Sequence, residues 1–403
     1  MTQQAPAAAL PMPFDGAYFT DPYPIYARLR EEGPVHRIAT PDGSPIWLVT
    51  REVDVRAGLT DPRLSVNKVD SGIGYKGFSL PPALDANLLN IDPADHLRLR
   101  RLVSKAFTPR RIEGMRALIH DAAESLADAL AAEGATDLIA GFANPLPLVV
   151  IGGLLDVPQG DRRRFSRWVG AMFDPAHPGE VAESVGHIHQ FLLHLVAERR
   201  TAPGDDLLSG MIAARDEDDR LSENELVSLA FMILFAGTEN AQHLISSGVL
   251  ALIQHPDQLA ALRADPSLLP NAVEEILRFA HPNQLAVRRF PTEDIEIGGV
   301  RIPAGDTVML GICSADRDPA RHTDPDRFDI HRDDAQHLAF GHGLHYCLGA
   351  ALARLEIQIG LGTLLRRFPH LELAVPAEEL QWRASFRSHA LRRLPIRVTP
   401  AAA

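Results

Sequence analysis

Two cysteines, Cys313 and Cys347, are all that 403 residues contain. A secreted chain of this size usually carries several in pairs, so the shortage points to a reducing compartment, and a cytoplasmic location is expected. Long apolar runs are also missing. The longest, Leu229 to Gly237, falls far short of the ~20 residues a membrane span needs, and Met1 to Gly16 has neither the basic start nor the apolar stretch of a signal peptide. No membrane association is expected. Basic residues are in deficit: 40 Lys and Arg stand against 52 Asp and Glu, a net charge of -12. That balance argues against a nucleic-acid partner. Linkers, low-complexity tracts and repeats are absent as well, and the 31 prolines and 29 glycines are spread along the whole chain. One large domain over residues 1–403 is expected, monomeric, with residues 1–16 as a flexible N-terminus.

What is present is mostly helical patterning. Arg98 to Phe107 is basic and amphipathic, and Arg111 to Ala132 repeats apolar residues at three- and four-residue intervals. Ser222-Glu223-Asn224-Glu225 fits a capping box. The helix it opens is expected to run to about Gln254, before His255-Pro256. Its middle is apolar on every side and so is expected to be buried all round. A further helix is expected over Leu268 to Ala280. Short strands follow: Ala286-Val287-Arg288-Arg289-Phe290, Ile295-Glu296-Ile297 before Gly298-Gly299, and Thr307 to Leu310. Leu348, Leu352, Leu355 and Ile359 mark one face of a last long helix. The class is mainly α with small β-sheets.

The most informative stretch is Phe340-Gly341-His342-Gly343-Leu344-His345-Tyr346-Cys347-Leu348-Gly349. It reads as a glycine-rich loop that delivers one cysteine to the start of a helix. Glycines let backbone approach something bulky and flat, and a helix N-terminus favours a thiolate. A buried free cysteine is the bland alternative, and a zinc site from His342, His345 and Cys347 the sharper one. The zinc alternative is weakened by the single other cysteine and the lack of a CxxC. Neither accounts for Phe340, Gly343, His345, Cys347 and Gly349 at these spacings. Together they match F-x-x-G-x-H-x-C-x-G, and the chain resembles the cytochromes P450, specifically the soluble bacterial haem-thiolate monooxygenases.

The resemblance implies that Cys347 is the axial ligand of a haem b iron. Phe340 would then shield the sulfur, Gly343 and Gly349 leave room for the porphyrin, and His345 reach a propionate. It extends to other segments in matching order. Glu275-Ile276-Leu277-Arg278 resembles the ExxR helix, and with Arg327 of Pro325-Asp326-Arg327-Phe328 it implies a buried structural network of Glu275, Arg278 and Arg327. The same spacing at Glu113 and Arg116 reads as an ordinary surface pair. Asp92 to Arg101 resembles a D-x-x-x-H-x-x-x-R helix. His96 and Arg100 lie one turn apart there and, with Arg289, are expected to meet the haem carboxylates.

Ala236-Gly237-Thr238-Glu239-Asn240 lies inside the apolar helix, where a glycine costs ~1 kcal/mol relative to alanine. The family has A/G-G-x-D/E-T here, at a bulge over the iron that binds dioxygen. Ala236, Gly237 and Glu239 match; Asn240 stands where most members have threonine. Glu239 is expected to relay protons and Asn240 to orient the oxygen-water network, the alternative being an amide that bonds only local backbone.

The implied activity is hydroxylation or epoxidation of a small organic substrate, expected to be a secondary metabolite, with O2 as co-substrate. Electrons are expected from NAD(P)H through a separate ferredoxin reductase and ferredoxin, with no fused domain of that kind expected. Arg101, Lys105, Arg110, Arg111 and Arg354 are candidates for attracting that acidic partner. The departure at Asn240 keeps open desaturation or ring coupling without oxygen insertion; a non-catalytic haem-thiolate sensor is the remoter alternative. Asn283 and Gln284 are expected to add polarity to a substrate pocket.

Overall fold

The computed structural model describes residues 10–400, apart from 73, 75–79, 92, 105, 106, 174, 205, 219 and 220. Its centre is the helix Glu223–Gln254, whose 32 residues make a rod of ~48 Å. The expected capping box is present: the Ser222 side chain accepts from the Glu225 amide, and the Glu225 carboxylate accepts from the Ser222 amide. Residues 226–234 and 241–252 of this helix are buried. It packs against helices Pro145–Leu154, Glu180–Thr201, Leu269–Ala280 and Ala350–Arg367. Such a helix needs neighbours on every side because it has no polar face to give to water.

Two small residues allow that packing. A Cβ on Gly237 would lie 2.5 Å from Ile151 Cδ1, and one on Gly248 would lie 3.1 Å from Ile276 Cγ2. The first would force the Ile151 side chain to shift.

The β portion is small. Strands Val35–Ala39 and Pro45–Val49 form a hairpin, and Val308–Leu310 adds in parallel to its second strand. A second sheet joins Ala135–Asp137, Pro395–Thr399 and His370–Leu373. Ile295–Ile297 and Val300–Ile302 pair through Gly298 and Gly299, both at positive φ, the turn chemistry a two-residue hairpin demands. The expected strand from Ala286 to Phe290 is shorter than its sequence suggests. Only Phe290–Pro291 is a strand, paired with Leu64–Ser65, and Arg289 makes a single bridge to Val308.

The N-terminus is more firmly held than its composition implied. Pro11 O accepts from the Ala39 amide at 2.8 Å, Phe14 is buried, and Asp15 caps the helix Gly16–Thr20. The expected flexible segment of residues 1–16 is therefore too long; residues 1–9 lie outside the described residues.

Helix Ala350–Arg367 carries one residue at odds with its surroundings. Glu356 is buried, and its Oε1 has no partner among the described residues. Burial alone pushes its carboxyl up to about 8. The folded state thus keeps a proton that the unfolded chain releases near 4.5. Stability is therefore lost as pH rises through that interval, by about 1.4 kcal/mol per unit. Glu356→Gln is expected to match the parent in denaturant melts at about pH 5 and to exceed it by several kcal/mol at about pH 8. A stability difference that stays constant with pH would contradict this assignment.

Candidate functional site

The loop from Leu338 to Gly349 is shaped by its own backbone before it reaches Cys347. Gly341 and Gly343 hold φ values of +72 and +71. A side chain at Gly343 would strain the backbone and bring its Cβ to 2.7 Å from Thr60 Cγ2. The Cys347 amide donates to Phe340 O at 2.8 Å, which folds the loop back on itself. By contrast a Cβ on Gly349 would meet nothing within 4 Å, so this glycine borders open space.

Cys347 is a free thiol. Burial pushes it up, while the Gly349 amide and the charges of Arg100 and Arg354 pull the other way without prevailing. The helix begins only at Ala350. Proximity to a helix N-terminus, expected to favour the thiolate, is thus not enough; a metal ion on the sulfur is what would hold it deprotonated. Among the described residues no group of three or more His, Cys, Asp or Glu could hold a metal ion by itself.

Cations gather around this loop. Helix Pro93–Ser104 presents His96 and Arg100 one turn apart. Arg100 donates to Leu344 O at 3.1 Å and to Tyr346 O at 2.7 Å, tying its helix to the loop. The His96 ring is fully buried, 4.5 Å from the His345 ring, and His345 Nδ1 lies 3.2 Å from Leu88 O. Arg289 is buried beside strand Val308–Leu310. Asp92, the first position of the D-x-x-x-H-x-x-x-R segment, lies outside the described residues. The Phe340 ring lies under the Arg354 guanidinium at 4.7 Å.

Glu275 and Arg278 form the expected pair, bidentate at 2.7 and 2.8 Å with both side chains fully buried. Arg327 does not complete the network. Its side chain is largely exposed and pairs with Asp329 at 3.3 Å; only its carbonyl takes part, accepting from Arg278. Arg332 takes the place expected of Arg327: its Nε lies 3.2 Å from Glu275 Oε2, and its Nη groups donate to Thr323, Asp324 and Arg327 carbonyls. A second group went unread in the sequence. Glu274 is bridged by Arg354 at 2.6 and 2.8 Å and by His337 at 3.2 Å. Although burial acts the other way, these partners hold its carboxyl down at about 2.

On the central helix the expected bulge is not seen; the α-helix runs unbroken through Ala236 to Asn240. Thr238 Oγ1 donates to Leu234 O at 2.9 Å, and Asn240 Nδ2 makes a long 3.4 Å bond to Ala236 O. Asn240 is exposed, whereas Glu239 is almost fully buried. The Glu239 Oε1 accepts from His243 Nε2 at 2.8 Å and Arg383 Nη1 at 2.5 Å. Burial would raise this carboxyl, but those two partners outweigh it and hold it low. Gln284, expected at a pocket wall, is wholly buried and donates to Cys313 Sγ at 3.0 Å.

A partly buried cysteine on a glycine cradle, flanked by cations and backed by an ExxR ion pair, is suited to a haem-thiolate site. The cytochrome P450 family model matches residues 165–382. PikC, a cytochrome P450 monooxygenase of Streptomyces venezuelae, is 45% identical over 98% of this chain and 96% of its own length. The 6-deoxyerythronolide B hydroxylase of Saccharopolyspora erythraea is 42% identical over 95% of this chain and 97% of its own. The tirandamycin C-bound P450 monooxygenase TamI superposes with a TM-score of 0.89 at 42% identity, covering 96% of this chain and 100% of that one. This chain belongs to the cytochrome P450 family, as a bacterial-type P450 monooxygenase.

The residues present fit the haem of that family. The Cys347 sulfur supplies a soft ligand, the open side of Gly349 admits a flat ring, and Arg100, Arg289, His96 and His345 supply donors suited to two propionates. Bound there, a haem would supply oxygen activation, and the chain would supply the ligand and the charge balance. The corrected network is testable. Arg332→Ala is expected to cost about 3 kcal/mol or more, because it leaves Glu275 short of a buried partner. Arg327→Ala should stay within about 0.5 kcal/mol of the parent. Equal losses in urea melts would return Arg327 to the network.

Proposed function

We propose that this monooxygenase hydroxylates or epoxidises a small secondary metabolite, drawing electrons from NAD(P)H through a separate ferredoxin reductase and ferredoxin. The observation that carries the reading is the Cys347 loop, held by Arg100 and Phe340 in a shape that leaves Gly349 open. The substrate class is supported by relatives such as PikC, the 6-deoxyerythronolide B hydroxylase and the mycinamicin IV hydroxylase/epoxidase of Micromonospora griseorubida. Cys347 holds the haem iron; His96, Arg100, Arg289 and His345 hold its carboxylates; Phe340 and Gly343 shape the loop. Glu239 carries protons and Asn240 orients the water that receives them. The enzyme works as a cytoplasmic monomer; no described helix is long and apolar enough to cross a membrane.

The donor docks beside the cysteine loop. Arg101 and Arg110 are exposed there, with Leu97 and Tyr346 adding exposed apolar surface. Arg354 is instead committed to Glu274, and Lys105 lies outside the described residues. Arg101→Glu is expected to slow association with an acidic ferredoxin, with the deficit shrinking as salt rises.

The deciding experiment is a reduced carbon-monoxide difference spectrum of purified protein. The thiolate-ligated form is expected, and Cys347→Ser should abolish it. An unchanged spectrum in that variant would remove the assignment of the ligand. For the oxygen side, Asn240→Ala is expected to lower the share of electrons recovered in product. Full coupling in the variant would reduce Asn240 to its bond with Ala236. Product lacking label from isotopic dioxygen would favour desaturation or coupling.

A further inference from the structure

Glu239 is held in a way the helix alone does not explain. His243 lies one turn further along the same helix and is almost completely buried, with its Nε2 on the Glu239 carboxylate and its Nδ1 without a partner among the described residues. Arg383 comes from far along the chain. It sits on a C-terminal hairpin, where its amide donates to Ala390 O at 2.8 Å and Trp382 bridges Leu391. Its Nη1 reaches Glu239, while its Nε is buried with no partner among the described residues. An arginine left partly unsatisfied in order to meet one carboxylate is an expensive arrangement, and it gives this contact a purpose beyond packing.

The tip of the same hairpin is tied to the substrate side. Ser385 Oγ accepts from the amides of Arg387 and Ser388, Ser388 bridges Asn283, and the Gln284 amide donates to Arg387 O at 3.0 Å. Asn283 is the residue expected at a pocket wall, and only partly buried. A ligand pressing on Asn283 or the tip therefore acts on the strand that bears Arg383.

We propose that Arg383 is a positioning residue that clamps the Glu239 carboxylate to the C-terminal hairpin, and that Glu239 passes protons toward Asn240 only when this clamp opens. The proposal rests on the proton-carrying role given to Glu239 above. The physical reason is simple. A carboxylate must take up a proton before it can give one, and an arginine on its oxygen opposes that uptake. With Arg383 withdrawn, His243 alone opposes the effect of burial, and the carboxylate takes up a proton more readily. Among the described residues His243 and Arg383 are the only charged or titratable groups hydrogen-bonded or ion-paired with this carboxylate.

The test uses haem-loaded, substrate-free enzyme. Difference infrared spectroscopy against pH reads the protonated carboxyl of Glu239 directly, identified as the band that Glu239→Gln removes. In Arg383→Gln the midpoint of that band should move up by about 1 to 3 pH units. Arg383→Lys, which keeps charge but not the planar fork, should move it less in the same direction, and serves alone if the glutamine variant does not fold. An unmoved midpoint in the glutamine variant, or in the lysine variant where that alone folds, overturns the clamp. A second readout is substrate-free NADPH oxidation with a surrogate ferredoxin and reductase, in water and in heavy water. Arg383→Gln should speed it severalfold and shrink its solvent isotope effect, whereas Glu239→Gln should slow it. If Glu239→Gln changes nothing, the proton role of Glu239 fails. If it slows oxidation but Arg383→Gln matches the parent, only the clamp fails.

Discussion

The site depends first on the Glu275–Arg278 pair. Two opposite charges with no exposure lose the whole of their hydration, and such a pair survives only where every remaining donor and acceptor is met. Here they are met by the rest of the chain. Arg278 donates to the carbonyls of Asp316, Pro325 and Arg327, and Glu275 accepts from the Asp329 amide and from Arg332. Asp316 in turn accepts from the Leu338 amide at 2.7 Å, two residues ahead of Phe340. An ion pair on one helix thereby fixes where the cysteine loop begins. The loop's position is set by polar satisfaction and its shape by glycine.

That division explains why the cations near Cys347 have unequal roles. Arg100 spends donors on Leu344 and Tyr346 carbonyls, so it fastens the loop as well as offering charge. Arg354 is paired with Glu274 and stacked on Phe340, and is therefore part of the scaffold. Ala339 donates to His337 Nδ1, which leaves Nε2 to face Glu274. The cysteine loop is preorganised from both flanks, and an unfavourable thiolate becomes a tolerable one only in the presence of a cation on the sulfur.

Much of this was legible in the sequence wherever partners lie a few residues apart. The capping box at Ser222, the Glu275–Arg278 pair, the turn of helix joining His96 to Arg100, and the glycine cradle of Cys347 are all local patterns with a fixed geometric meaning. His243 was legible by the same rule, four residues from Glu239, and went unread. Partners that meet through the fold were not legible. Arg327 and Arg332 lie on one irregular segment, and nothing in their spacing says which of them turns inward. Arg383 meets Glu239 only because the C-terminal hairpin folds back over the central helix. Gly237 looked like a concession to oxygen binding, yet the space a side chain would need there is taken by Ile151 of a neighbouring helix. Gln284 looked like a polar pocket wall, yet it is spent on Cys313.

The unbroken central helix bears on what asparagine does at position 240. A threonine in a helix can return its hydroxyl to the carbonyl one turn back, as Thr238 does to Leu234. Asn240 satisfies the corresponding carbonyl of Ala236 through its amide nitrogen. The two atoms of the amide divide the work that one hydroxyl oxygen would have to share: the nitrogen serves the helix, and the oxygen remains an acceptor. A threonine hydroxyl bonded to Ala236 would have spent its only proton there. Asparagine keeps two amide protons, so one can hold the helix while the other is offered outward. The substitution thus preserves both polarities at the exposed face of the helix next to Glu239, whose carboxylate is met instead by His243 and Arg383.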